Sequence, residues 1–215
     1  MVTTVYFVRH GESLGNTQGF FQGRTDCELS ENGLLQLELL KERFKGINYD
    51  AIYSSPLTRT LDTAKAVNFH HQLPITCEEG LIEINGGIFE GRHWDELPKL
   101  YPIEFDTFRN NLHSFNPQNG ESVRSVYDRM VQTVDSLIEQ NKGKTIVLVS
   151  HGCAIKNYLC YATSTPFEKL GELAWSDNTS ISKVTFSDKK IPQVEFMNDA
   201  THLDELKVEK PTYWR

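Results

Sequence analysis

The sequence lacks the usual signatures of a metal, a nucleotide or a membrane. Seven histidines are present, yet there is no H-E-x-x-H run and no clustered His/Asp spacing suited to a metal ion. The absence of a G-x-x-x-x-G-K-S/T loop disfavours a P-loop kinase. Cys27, Cys77, Cys153 and Cys160 form no C-x-x-C pair, and none is followed six residues later by arginine. That spacing excludes a regular disulfide framework and the loop in which a cysteine thiolate attacks phosphorus. The thiols therefore read as reduced, as in a cytoplasmic protein. No uninterrupted apolar stretch approaches membrane-spanning length, and the N-terminus has no basic segment leading into an apolar one. A cytoplasmic chain with no membrane partner is expected.

Positive charge is also scarce. Lys and Arg number 22 against 29 Asp and Glu, a formal net charge of −7, which argues against a broad nucleic-acid face. Any phosphorylated ligand must then be held by a local cationic pocket rather than by the field of the whole molecule. The 39% hydrophobic and 24% charged fractions are those of a folded chain. A length of 215 residues suits one domain spanning 1–215 with local insertions.

Along the chain, Thr3 to Val8 is an apolar β-rich run ending at Arg9-His10-Gly11 and reads as a buried strand. The segment to Leu29 has no period and reads as a functional loop. Ser30 is placed to cap a helix whose Leu37, Leu40 and Phe44 share a face, with Gly46 as its stop. A strand at Ala51 to Tyr53, a helix at Thr58 to Val67 and a weak strand at Ile75 to Cys77 follow. Residues 84–119 begin Gly-rich and then crowd with Phe89, Trp94, Tyr101, Phe105, Phe108 and Phe115. This stretch reads as an insertion capping the sheet, its aromatics serving as core rather than as an aromatic pocket. A stripe from Val123 to Ile138 predicts a helix over 122–140. Thr145 to Val149 then reads as a central parallel strand ending at Ser150-His151-Gly152, and a helix follows from Ala154 to Tyr161. Strands are expected at 180–186 and 194–197, and then a charged tail carrying Trp214. The pattern is α/β: a mostly parallel sheet covered by helices on both faces, with a small helical and aromatic cap.

Two apolar strands thus finish in His-Gly. If they are neighbours, His10 and His151 enter one crevice beyond the carboxyl ends of the sheet, where such folds bind ligands. The glycines permit close approach of backbone to an oxyanion. Arg59, in the first turn after Ser54-Ser55-Pro56-Leu57, offers a planar fork for phosphate oxygens. Glu83, between Leu81-Ile82 and Ile84, is a candidate acid whose pKa burial would raise.

Taken together, these motifs resemble those of the histidine phosphatase superfamily, which includes cofactor-dependent phosphoglycerate mutases and many small-molecule phosphatases. Arg9-His10-Gly11-Glu12-Ser13 with Asn16 and Gln22-Gly23 match its N-terminal signature. Ser54-Ser55-Pro56-Leu57-x-Arg59-Thr60, Glu83, Phe89-Glu90-Gly91, Asn119-Gly120-Glu121-Ser122 and Val149-Ser150-His151-Gly152 match later motifs in order. Leu14-Gly15 departs from the pattern, since many members carry an aromatic residue before the asparagine. The resemblance implies a phosphohistidine at His10, a phosphate pocket of Arg9, Arg59 and His151, and Glu83 as general acid and base. It also implies substrate contacts at Gly11, Asn16, Gln22, Gly23 and Gly152. The substrate class is a small phosphate ester, with no metal and no cofactor. The short, cation-poor insertion favours a phosphatase over a phosphoglycerate mutase, which alone would need 2,3-bisphosphoglycerate. An inactive phosphate-binding regulatory protein is the remaining alternative, and it is disfavoured because all five reactive positions are filled. A monomer or a homodimer is expected.

Overall fold

The computed structural model describes residues 1–187 and 191–204. Six strands form one sheet in the order β3-β2-β4-β1-β5-β6. They are β1 (Thr3–Arg9), β2 (Ala51–Ser54), β3 (Ile75–Cys77), β4 (Thr145–Ser150), β5 (Ile181–Phe186) and β6 (Pro192–Asp199). The first four run parallel, and β5 and β6 add an antiparallel edge. The adjacency required of the two His-Gly strands holds: β1 and β4 pair in parallel, Val8 opposite Val149 and Arg9 opposite Ser150.

Alternation along the central strands divides the interior into two cores. Val5, Phe7, Ile146 and Leu148 face one cluster with α6 (Val123–Gln140) and α7 (Gly152–Ala162). Val8, Val147 and Val149 face the other, with α2 (Glu31–Phe44) and α3 (Thr58–Val67). Both faces are buried, which is why these strands read as continuous apolar runs rather than alternating ones. Ser30 caps α2 by accepting the Gly33 amide, and Ser122 caps α6 by accepting that of Ser125. Each such cap contributes about 1 kcal/mol.

Three local expectations are revised. The loop after β1 contains a five-residue helix, α1 (Leu14–Gln18), fixed by a reciprocal capping box between Ser13 and Asn16 and closed by Gly19 at φ 72°. Gly46 does not stop α2 as a left-handed glycine: Lys45 holds a right-handed helical cap, and Gly46 is not among the positive-φ glycines. The insertion contains α4 (Leu97–Leu100) and α5 (Pro102–Asn110), each with proline in its first turn. Its Phe89 and Phe115 are buried in the main core, as expected, whereas Trp94 and Phe108 reach the cleft. The start of the expected charged tail is the end of β6 and a short turn at 201–203, and Trp214 lies outside the described residues. No helix among the described residues is long and apolar enough to cross a membrane.

Candidate active site

The cleft opens where β1 and β4 end. His10 leaves β1, and His151 is the N-cap position of α7; their ring centroids are 5.2 Å apart. Both imidazoles are buried. Desolvation, followed by the charges of Arg59 and Arg9, holds the pKa of His10 well below 6.5. His151 is depressed likewise, by desolvation first and then by Arg59, His10 and Arg9. Each ring is therefore neutral near pH 7.

The tautomer of His10 follows from one contact. Its Nδ1 lies 2.7 Å from the carbonyl of Gly11, which can only accept, so Nδ1 carries the proton and Nε2 presents a lone pair. The backbone of His10 is held as well: its carbonyl accepts from the Asn178 side chain at 3.0 Å and from the Thr179 amide at 3.3 Å. Ser55 Oγ lies 2.7 Å from His151 Nε2. With that hydroxyl donating, the His151 proton sits on Nδ1, a buried atom with no protein partner.

The cations are placed by backbone carbonyls. Arg9 donates through Nη1 to the Ser176 carbonyl, and burial lowers its pKa to about 10, which leaves it charged at neutral pH. Arg59 is fully buried and donates to the Gly23 carbonyl at 2.7 Å and the Thr25 carbonyl at 2.9 Å. Its Nε is buried with no protein partner, as is Nε2 of Gln22.

Glu83 sits against the N-terminus of α7. Its Oε2 accepts the Cys153 amide at 2.9 Å, and Oε1 accepts those of Ala154 at 3.1 Å and Ile84 at 2.8 Å. Those bonds and the nearby arginines favour the carboxylate, but desolvation outweighs them and the pKa is raised. Burial thus favours the protonated form of Glu83, while the amides at the start of α7 favour the carboxylate.

Arg9, His10, Asn16, Gln22, Glu83 and Gly152 all line the cleft. Arg59 and His151 stand behind this lining, where their charge and ring couple to His10, and Gly11 and Gly23, expected beside the substrate, do not line it either. The Gly11 amide donates to Thr63 Oγ1 at 3.0 Å. Gly23 is wedged where a Cβ would lie 2.2 Å from both Glu90 Oε1 and the Ile84 carbonyl. Both glycines serve the residues beside them: Gly11 fixes His10, and Gly23 receives Arg59. Gly152 packs on Arg9, whose guanidinium a Cβ would meet at 3.4 Å. Ser55, Ser176 and Asn178 were missed. Ser55 stood in a recognised motif, but the 175–179 stretch carries no local pattern. Phe20, Phe21, Trp94, Phe108 and Trp175 also line the cleft as an apolar wall. Arg92, Lys99 and Arg109 of the insertion are exposed, and none lines the cleft. Among the described residues, no group of three or more His, Cys, Asp or Glu side chains is arranged to hold a metal ion.

The model of the histidine phosphatase superfamily (branch 1) matches residues 5–200. The chain belongs to this superfamily. Phosphoserine phosphatase 1 of Hydrogenobacter thermophilus is 33% identical over 205 residues, covering 94% of this chain and 95% of that protein. The solved structure of YhfR from Bacillus stearothermophilus superposes with a TM-score of 0.89 at 32% identity, covering 94% of this chain and 99% of that one. A variant of the phosphoserine phosphatase of Entamoeba histolytica, solved with phosphoserine, superposes with a TM-score of 0.83 at 32% identity over 94% of this chain and 99% of that one.

Proposed function

We propose that the chain is a metal-independent phosphomonoesterase for small organic phosphates, working through a phosphohistidine at His10. The reading treats residues 1–215 as one domain whose cap spans about 84–119. The observation that carries it is the His10 tautomer: a neutral imidazole with Nδ1 fixed and Nε2 available, in a site that also holds buried nitrogens of Arg59, Gln22 and, with Ser55 donating, His151 that lack protein acceptors. A phosphoryl group supplies the acceptors that these donors require.

In the first half-reaction Nε2 of His10 attacks phosphorus and the bond to the leaving oxygen breaks. Protonated Glu83 gives its proton to that oxygen. The imidazolium formed keeps its Nδ1 proton, now bonded more strongly to the Gly11 carbonyl. In the second, the Glu83 carboxylate takes a proton from water, the hydroxide attacks phosphorus, and the P–N bond breaks to return neutral His10 and inorganic phosphate. Arg9, Arg59 and His151 oppose the charge on the phosphoryl oxygens throughout.

Phosphoserine is a reasonable first substrate, because two of the relatives are phosphoserine phosphatases. A mutase is disfavoured because Arg9 and Arg59 are both committed to the phosphoryl group and, among the described residues, no other Lys or Arg lines the cleft, so a second acidic group on the substrate finds no further cation there. The test is release of inorganic phosphate from phosphoserine, 3-phosphoglycerate and p-nitrophenyl phosphate with and without chelator. Isomerisation of 3-phosphoglycerate is followed in parallel. Chelator-insensitive release with an acid-labile phosphoenzyme, lost in His10→Ala, is expected. Isomerisation faster than release, or a His10→Ala variant retaining a tenth of the rate, would overturn the proposal.

A further inference from the structure

The Asn119-Gly120-Glu121-Ser122 motif has no part in the chemistry above, yet it is tied to the segment that carries Glu83. Glu121 and Arg129 form a bidentate pair, Nε to Oε1 and Nη2 to Oε2, both at 3.0 Å. The side chains are only 15% and 20% exposed, so the pair is shielded from solvent more than an ordinary surface bridge. The third arm of the guanidinium, Nη1, donates to the carbonyls of Gly80 and Ile82, each at 2.8 Å. On the far side of Glu83, the Glu121 amide donates to the Asn85 carbonyl at 2.8 Å, and the Asn85 amide donates to Glu121 Oε2 at 3.4 Å. Between these points, Ser150 Oγ donates to the Leu81 carbonyl at 2.6 Å. Gly80 lets this happen by close approach: a Cβ there would lie 2.0 Å from Thr133 Oγ1 on α6. The backbone is therefore bonded at residues 80, 81 and 82 before Glu83 and at 85 after it.

We propose that the Glu121–Arg129 pair is a positioning device that sets Glu83 at the distance and angle from the leaving oxygen needed for proton transfer. The inference rests on the acid role of Glu83 proposed above. Neither residue of the pair lines the cleft, so neither touches the substrate. Loss of the pair is expected to displace the proton donor, while Arg9, Arg59 and His10 keep their own anchors at Ser176, Gly23, Thr25 and Gly11. A general acid contributes about 10²–10⁴-fold, and only where the leaving group needs the proton.

The experiment compares kcat/KM for phosphoserine, an alkyl ester with a poor leaving group, with that for p-nitrophenyl phosphate, whose leaving group departs unaided. Glu83→Gln, Arg129→Met, Arg129→Lys, Glu121→Gln and the Glu121→Gln/Arg129→Met double variant are measured beside the wild type, with thermal melts recording the folded fraction. The expected result is a loss of about 30-fold or more on the alkyl ester and within about threefold on the aryl ester. The double variant should be no worse in that ratio than the worse single one, and Arg129→Lys should keep most of the defect, because lysine lacks the fork. Equal losses on both esters, or a normal ratio in Arg129→Lys, would overturn the positioning role while Glu83→Gln still shows the selective loss. If Glu83→Gln itself shows no selectivity, the acid assignment falls and the positioning role falls with it. Should Arg129→Met fail to fold, Glu121→Gln and Arg129→Lys decide the matter on the same ratio.

Discussion

Ser55 Oγ and His151 Nε2 are 2.7 Å apart in the buried space between the end of β2 and the start of α7. With the hydroxyl donating, the contact sets which nitrogen of His151 carries the proton. Ser55→Ala removes it, leaves a buried ring nitrogen without a partner and frees the tautomer. Such a loss costs about 1–3 kcal/mol, so kcat/KM should fall on the order of 10-fold to 100-fold. The fall should be similar for alkyl and aryl esters, because His151 is assigned to the phosphoryl oxygens. Steady-state kinetics on both esters checks this, and an unchanged kcat/KM would remove Ser55 from the site.

On the proposed mechanism, two buried groups set the pH profile. His10 must be neutral to attack, and its pKa lies well below 6.5, so its protonation limits the rate only at acid pH. Glu83 must be protonated to donate, and its pKa is raised, so kcat/KM for an alkyl ester should decline as pH rises through that value. After correction for the substrate's own ionisation, the alkaline limb should vanish for p-nitrophenyl phosphate and in Glu83→Gln. An alkaline limb that persists in Glu83→Gln would assign it to another group.

On the proposed mechanism, Arg59 combines a structural and an electrostatic task. Lysine can replace its charge but not its simultaneous grip on the Gly23 and Thr25 carbonyls. Arg59→Lys is expected to lose about 10²–10³-fold in kcat/KM, by analogy with removal of one fixed donor to a transition-state oxyanion. Competitive inhibition by vanadate should weaken in parallel. Vanadate binding equal to wild type would restrict Arg59 to holding the loop.

Lys156 is buried on α7, with its ammonium 4.4 Å above the Trp175 ring and donating to the Leu173 carbonyl. Desolvation lowers its pKa from 10.5 to about 8. The Cys153 and Cys160 thiols beside it are themselves raised by burial, so they are neutral near pH 8 and leave the ammonium without a counter-charge. Between pH 8 and 10.5 the unfolded chain holds the proton and the folded chain has released it, so stability should rise with pH across this window. The full effect is on the order of 3 kcal/mol. Denaturant unfolding of wild type and Lys156→Met over this range isolates it. Parallel curves for the two proteins would show that Lys156 titrates normally.

Much of this architecture was legible because it is local. Ile146 to Val149 and Val5 to Val8 are apolar at every position, as strands covered on both faces must be, and each is followed at once by polar site residues. The adjacency of β1 and β4, more than 130 residues apart in sequence, was conditional until the register of Val8 with Val149 was seen. Helix α1 escaped because five residues give no period, although Ser13 and Asn16 supplied a cap. The contacts of Ser176 with Arg9 and of Asn178 with His10 span 167 and 168 residues, and nothing in the local sequence encodes them. Phe115 and Phe108 look alike in the chain, yet one is core and the other meets the cleft. That difference depends on which face of a short irregular segment turns inward.

The cleft draws on separate stretches of chain. His10 and His151 come from the ends of two central strands, clamped by carbonyls and hydroxyls that tolerate little displacement. The apolar wall comes from 20–21, the insertion and Trp175. A lineage can therefore rewrite the wall by small changes in short irregular segments while the strand ends stay fixed. Substitutions in the wall should alter which ester is preferred while leaving the proposed chemistry at the strand ends in place.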